Sequence, residues 1–160
     1  MQQIAAAASA AVGVLSGSSI TVPAKPQARR TQRIAWLLHQ DGADVAVAVA
    51  GADIGDLETC WVERESDRHG LDGAVRSLTW RVIEGSAGSV AAIAEAIRAA
   101  GASTLVVAGP ETLDGVLRDL VDLPSGTGRF RFIPGVPTTV QVLPDRAVLR
   151  HLNQGGALTP

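Results

Sequence analysis

Cysteine is almost missing from this sequence: Cys60 is the only one among 160 residues. A single thiol cannot form an internal disulfide, and it cannot complete the four-ligand set of a structural zinc site. The three histidines, His39, His69 and His151, are far apart and share no ligand spacing. We therefore expect neither a metal site nor another cofactor.

Charge of one sign and long apolar runs are also missing. The formal net charge is −2, so no overall field attracts nucleic acid or an anionic membrane. Residues 4–15 are apolar but too few to span a bilayer, and no basic side chain precedes them as in a secretory signal. The composition, 46% hydrophobic and 19% charged, is globular. We expect one cytoplasmic domain over residues 1–160 that binds neither nucleic acid nor membrane.

Hydrophobic periodicity predicts alternating helices and strands. The predicted helices cover 2–15, 28–40, 89–100 and the segment that starts at Pro110, and the predicted strands cover 20–22, 45–49, 104–108, 138–143 and 147–152. Residues 51–87 are predicted to hold short helices and loops. Because strands alternate with helices before a turn-linked pair, we predict a three-layer α/β/α fold. Its sheet is mainly parallel, with an antiparallel C-terminal hairpin.

The segment from Val106 to Pro124 carries a family resemblance. Its apolar strand, the turn at Gly109, the helix and the Leu-Pro exit resemble the part of the histidine phosphatase (phosphoglycerate mutase-like) superfamily that holds the second catalytic histidine. Downstream, the run 130–132 (Phe-Arg-Phe), the two strands and Asn153 are similar to the same family. Upstream, 53–58 is similar to its Asp-Phe-Gly stretch, and 20–38 to its arginine loop. The resemblance covers about 20–153 and implies a phosphoglycerate mutase-like fold.

The resemblance also implies a chemistry, for which this sequence lacks most residues. In the family, one histidine attacks phosphorus, a second histidine and two arginines hold the phosphoryl oxygens, and an acid protonates the leaving oxygen. Here Gly109 stands at the second histidine, and the acid falls near Gly51 or Ala52. The usual N-terminal Arg-His-Gly strand is not found. Arg30, with Arg29 as its alternate, is the expected phosphate-binding residue, and we assign no catalytic residue.

Four other residues are alternatives for the missing roles. His69 stands in an Arg-His-Gly tripeptide, but charged residues precede it, so we interpret it as a solvated loop histidine. His39 follows the apolar run 34–38, which we interpret as helical, with His39 at the helix end. Asp53 or Glu58 could replace the acid, but surface or capping positions fit them better.

The sequence thus predicts a histidine phosphatase-like protein that is catalytically impaired and acts by binding or assembly. A small phosphorylated ligand or a protein partner is expected, and a homo- or hetero-oligomer is compatible with this function. Two alternatives stay open: an active phosphomonoesterase with a rearranged site, and a non-functional fragment of one. The expected ligand site is the crevice at the carboxyl ends of the strands 20–22 and 104–108.

Overall fold

The computed structural model of the protein describes residues 32–40, 45–51, 54, 57–75, 77–84, 88–124 and 126–153. These residues form the strands β1 (Arg33–His39), β2 (Leu57–Val62), β3 (Ser77–Val82), β4 (Ser103–Ala108), β5 (Thr138–Val142) and β6 (Ala147–His151). They also form the helices α1 (Val45–Gly51), α2 (Glu65–Leu71), α3 (Gly88–Ala99) and α4 (Pro110–Leu120). The predicted helix 2–15, the predicted strand 20–22 and the expected site residues Arg29 and Arg30 lie outside the described residues.

The strands form one sheet in the order β3-β2-β4-β1-β5-β6. β1 to β4 run parallel to one another, whereas β5 pairs antiparallel with β1 and β6 pairs antiparallel with β5. The predicted mainly parallel sheet with an antiparallel C-terminal hairpin is therefore confirmed. The predicted elements that correspond to β4, α3, α4 and the hairpin are confirmed as well.

Helices cover both faces of this sheet, which confirms the three-layer architecture. On one face, α3 and α4 pack through Ile93, Leu113 and Leu117 against β1, β4 and β5. On the other face, α1 and α2 pack through Val49 and Leu71 against β1, β2 and β4. Full burial of a large aliphatic side chain stabilises the fold by about 1.5–3 kcal/mol. Because β4 and β1 contribute buried side chains on both faces of the sheet, the described core depends mainly on these two central strands.

The first described strand corrects one prediction. Residues 33–39 form β1, not the C-terminal part of a helix over 28–40. Ala35 and Leu37 face the α3 and α4 side, while Trp36 and Leu38 face the α1 and α2 side. A run buried on both faces is continuously apolar, and periodicity alone does not separate it from a short buried helix. Pairing with β4 and β5 decides for the strand.

The segment predicted as a buried strand at 45–49 is instead the helix α1. Its alanines favour a helix, and Val49 is its buried residue, while Val47 is 66% exposed. The prediction of short helices and loops over 51–87 is confirmed for the short helix α2 and wrong for the strands β2 and β3. The charges of this segment are concentrated around the short helix α2 and conceal the strand pattern. In the described part of the chain, no helix is long and apolar enough to cross a membrane.

Candidate active-site crevice

The connections of the central strands diverge to opposite faces of the sheet at the carboxyl ends of β1 and β4. The chain leaves β1 toward α1 on one face, whereas it leaves the neighbouring β4 toward α4 on the other. β2, on the far side of β4, continues into α2 on the α1 face. In open parallel sheets, ligands bind at such switch points beyond the carboxyl ends of the strands. We therefore take the carboxyl ends of β1, β2 and β4 as the candidate site and call it the crevice; of the two strands predicted to border it, 104–108 is β4 and 20–22 lies outside the described residues.

Gly109 forms the turn between β4 and α4 at this crevice. It is the N-cap residue of α4, with φ −70° and ψ 164°, and Pro110 begins the helix. Leu113 donates a backbone hydrogen bond of 3.1 Å to the Gly109 carbonyl, which fixes the turn. The amino end of a helix carries partial positive charge and exposed N–H groups. This corner of the crevice is therefore suited to an anion.

The anion that occupies this corner is the carboxylate of Glu63, which directly follows β2. Its Oε2 accepts hydrogen bonds from Gly109 N at 2.7 Å and from Gln40 Nε2 at 2.8 Å, and its Oε1 accepts one from Thr112 Oγ1 at 3.0 Å. The Glu63 backbone N–H in turn donates to the Val107 carbonyl of β4 at 3.0 Å. Donors from the β1 end, the β4–α4 turn and α4 thus converge on one negative group.

His39 is the last residue of β1 and not a helix-end residue, so that interpretation is corrected. Its side chain is buried at 8% exposure, and its Nδ1 has no hydrogen-bond partner among the described residues. Its carbonyl accepts a hydrogen bond of 3.2 Å from Gly135 N, and the next residue, Gln40, donates its own N–H to the Ala108 carbonyl at 3.3 Å. The strand thus delivers a buried histidine next to the Gly109 turn.

Asn153 binds the loop of Ile133 and Gly135, which contacts the His39 carbonyl. The Asn153 Oδ1 accepts a hydrogen bond from Ile133 N at 2.9 Å, and Asn153 N donates to Thr138 Oγ1 at 3.1 Å. Asn153 adopts a positive φ of 52°, which asparagine tolerates better than most residues. The asparagine noted in the family resemblance therefore positions the loop whose Gly135 contacts His39.

Space in the crevice is limited at Gly109. A Cβ atom on this residue would lie 3.2 Å from Glu63 Oε2. A Cβ atom at 109 therefore requires the Glu63 carboxylate to shift by a few tenths of an ångström. The absence of a side chain at Gly109 therefore leaves the space in which the Glu63 carboxylate accepts the Gly109 N–H bond.

A second carboxylate lies close to Glu63. The pKa of Asp67 in α2 is raised, first by burial and further by the negative charge of Glu63, while Arg64 opposes this shift. The Asp67 Oδ2 is buried and has no hydrogen-bond partner among the described residues. In the same part of the chain, no group of three or more His, Cys, Asp or Glu side chains is arranged to hold a metal ion.

The other residues considered from the sequence lie away from this crevice or outside the described residues. His69 is on α2 with its side chain 73% exposed, so it is solvated as expected but on a helix and not in a loop. Glu58 accepts hydrogen bonds from Gly101 N at 2.7 Å and Ala102 N at 3.1 Å, at the amino ends of β2 and β4. The expectation of a capping position for Glu58 is confirmed. Gly51 ends α1, and Ala52 and Asp53 lie outside the description.

Sequence reasoning missed three residues of the crevice: Gln40, Glu63 and Thr112. Glu63 was missed because β2, which it follows, was not predicted. The signal that could have found it is the alternation of Cys60 and Val62, both buried, with partly exposed neighbours in β2.

The strand order and the helices on both faces match the fold of solved histidine phosphatase structures. An inferred alpha-ribazole-5′-P phosphatase from Escherichia coli K-12 matches with a TM-score of 0.60 at 14% identity, over 78% of this chain and 98% of that one. The protein histidine phosphatase SixA complexed with tungstate matches at 0.58 and 12%, over 76% and 97%. The alpha-ribazole phosphatase from Shigella flexneri matches at 0.59 and 12%, over 77% and 97%.

No protein-family model and no curated protein sequence matches this chain. The likeness is therefore one of fold, at sequence identities of 12–14%. The histidine phosphatase-type fold that the sequence resemblance implied is confirmed.

Proposed function

We propose that this chain is a cytoplasmic histidine phosphatase-like protein that is catalytically impaired and acts by binding or assembly. The observation that carries this proposal is the contact between Gly109 and Glu63. Gly109 stands where the family resemblance puts the second catalytic histidine, and the Glu63 carboxylate fills the adjoining space. A group that should stabilise a phosphoryl oxygen is thus replaced by one that repels it.

The size of this repulsion supports impairment. Two unit negative charges 4 Å apart repel by about 4 kcal/mol at an effective dielectric constant near 20. That energy corresponds to a roughly thousandfold loss in affinity for a phosphoryl group. Loss of one transition-state donor, here the second histidine, costs a further factor of about 10²–10³ in rate. The two effects act on one group, so they need not multiply.

We propose that β1 is the counterpart of the strand that carries the family's nucleophile, so residues 33–38 do not belong to the arginine loop to which the sequence resemblance assigned 20–38. Neighbouring structures are matched over 97–98% of their length, which supports a full set of strands. The last two residues of β1 and the residue after it are Leu38-His39-Gln40, where the resemblance would have Arg-His-Gly. Leu38 is buried in the core on the α1 side, so it offers no charge to a phosphoryl oxygen. The histidine is kept and the preceding arginine is lost.

His39 supports one alternative, an active phosphomonoesterase with a rearranged site. His39 is buried at the carboxyl end of β1, and its Nδ1 lacks a partner among the described residues. A neutral imidazole in such a position could attack phosphorus if a substrate displaced Glu63. This alternative needs Glu63 to leave its three hydrogen-bond donors.

A phosphatase assay on purified protein separates the two functions. Wild type is compared with His39→Ala, and His69→Ala is the matched control because His69 is exposed on α2. With p-nitrophenyl phosphate, we expect the three proteins to show the same rate, at the level of buffer. Turnover that disappears in His39→Ala and persists in His69→Ala would establish the phosphomonoesterase instead.

The charge of the crevice also bears on the partner. Glu63, with Asp67 nearby, disfavours the small phosphorylated ligand that was one of the two expected partners. We therefore propose the other expected class, a protein partner or a further copy of this chain. Light scattering on the purified chain at increasing concentration tests the second of these, since a monomer at all concentrations would exclude self-assembly.

A further inference from the structure

The donors around Glu63 form an anion site built from three separate parts of the chain. Gly109 N belongs to the turn after β4, Thr112 Oγ1 to the first turn of α4, and Gln40 Nε2 to the residue after β1. α4 has 11 residues, long enough to give its amino end a defined partial charge. All three groups donate and none of these contacts uses an acceptor, which is the pattern that an anion requires.

The Gln40 side chain adds an independent observation. Its exposure is 9%, and its amide lies in the crevice because Nε2 contacts Glu63. Its Oε1 is buried and has no partner among the described residues. Buried polar atoms are normally paired with protein, water or ligand. The Gln40 Oε1 atom is an acceptor, so the Glu63 carboxylate cannot pair with it, whereas the O–H group of a hydrogen phosphate ion can donate to it.

We propose that Glu63 is the residue that determines the ligand class of this crevice. Its carboxylate occupies the anion position, so the unmodified crevice excludes phosphate and other oxyanions, and removal of the carboxylate turns the crevice into an oxyanion site. This inference rests on the proposed function in one respect, namely that the crevice binds and does not turn over phosphomonoesters.

The donors should persist when Glu63 is removed, because the main chain holds them. Gly109 is fixed by the Leu113 N–H bond to its carbonyl, and Gln40 by its own N–H bond to Ala108. Thr112 lies in the regular first turn of α4. Truncation of Glu63 therefore leaves three donors aimed at the space that its carboxylate filled.

Titration with inorganic phosphate, followed by calorimetry, tests the proposal. The variants are Glu63→Ala, which removes the carboxylate, and Glu63→Gln, which removes only its charge. Glu58→Ala is the matched control, because Glu58, like Glu63, accepts a backbone N–H bond of 2.7 Å from a glycine, but at the amino ends of β2 and β4. We expect Glu63→Ala to bind phosphate at least about tenfold more tightly than wild type, and Glu58→Ala to behave as wild type. Glu63→Gln should lie between them.

A second substitution locates the bound phosphate. Thr112→Val in the Glu63→Ala background should weaken phosphate binding about threefold to tenfold, because it removes one donor of this site. The proposal is overturned if wild type binds phosphate as tightly as Glu63→Ala, or if folded Glu63→Ala binds no more tightly than wild type. Should Glu63→Ala fail to fold, a folded Glu63→Gln that binds no more tightly than wild type overturns it equally. These outcomes are independent of the phosphatase assay on wild type, which tests the proposed function.

Discussion

Replacement of Gly109 by alanine probes the contact on which the proposed function rests. The new Cβ would lie 3.2 Å from Glu63 Oε2, closer than ordinary van der Waals contact, so the carboxylate must move. It is tied by three hydrogen bonds, and a hydrogen bond to a charged group is worth about 1.5–3 kcal/mol. Partial loss of one such bond predicts a cost of about 1–2 kcal/mol for Gly109→Ala, within the usual range for overpacking.

The backbone contributes little to this cost. The φ of −70° at Gly109 suits any residue, and alanine lowers the entropy of the unfolded chain relative to glycine. Alanine is a poorer N-cap than glycine, which offsets part of that gain. In the Glu63→Ala background, Gly109→Ala should therefore change the free energy of unfolding by no more than about 0.5 kcal/mol. The predicted coupling between the two positions is about 1–2 kcal/mol.

Urea unfolding of the four proteins of this double-mutant cycle measures the coupling, with tryptophan fluorescence as the signal. The matched control is the pair Gly101 and Glu58, which has the same N–H to carboxylate distance of 2.7 Å, but a Cβ at 101 would lie 3.5 Å from Glu58 Oε2. Gly101 does not adopt a positive φ, so alanine fits there too. We expect little coupling in the control pair. Equal costs of Gly109→Ala with and without Glu63 would refute the tight contact in the crevice.

Two further predictions concern the packing of the fold. Gly115→Ala would put a Cβ 2.9 Å from Val90 Cγ1, where α4 packs on α3. We expect the free energy of unfolding in urea to fall by about 1–3 kcal/mol, and Val90→Ala to reverse most of this loss. An unchanged free energy of unfolding would contradict the close contact between the helices. Burial raises the pKa of the Cys60 thiol to about 12. Native protein should therefore not react with a thiol reagent at pH 8, while denatured protein should react fully. Rapid labelling of the native state would contradict the burial of Cys60 in β2.

Several elements could be predicted from the sequence because local pattern and tertiary environment agree there. β4 and α4 have a buried strand run and an amphipathic stripe, separated by a Gly-Pro turn, and both lie where predicted. The C-terminal hairpin is marked by its turn at 144–145. The position of Gly109 at the crevice follows from these elements, and the loss of a histidine there is visible in the sequence itself.

The crevice as a whole was not predictable, because its residues belong to elements whose local patterns are ambiguous. The run 34–38 in β1 fits a helix or a strand, and the alanine-rich α1 fits both as well. Pairing of β1 with β4 and β5 buries both of its faces, and this decides between the two states. Because the prediction made 28–40 a helix and 45–49 a strand, it placed His39 at the end of a helix and not at the end of a strand.

By itself, the sequence determined the fold class and the hairpin, because both follow from patterns of neighbouring residues along the chain. The absence of a histidine at 109 is visible in the sequence directly. The tertiary structure alone decided that Glu63 occupies the place next to Gly109. Glu63 is 46 residues away from Gly109, and only the pairing of β2 with β4 brings its carboxylate to the amino end of α4. A contact of this kind carries no local signal, because the energy that forms it comes from the packing of the whole sheet and not from the segment around either residue.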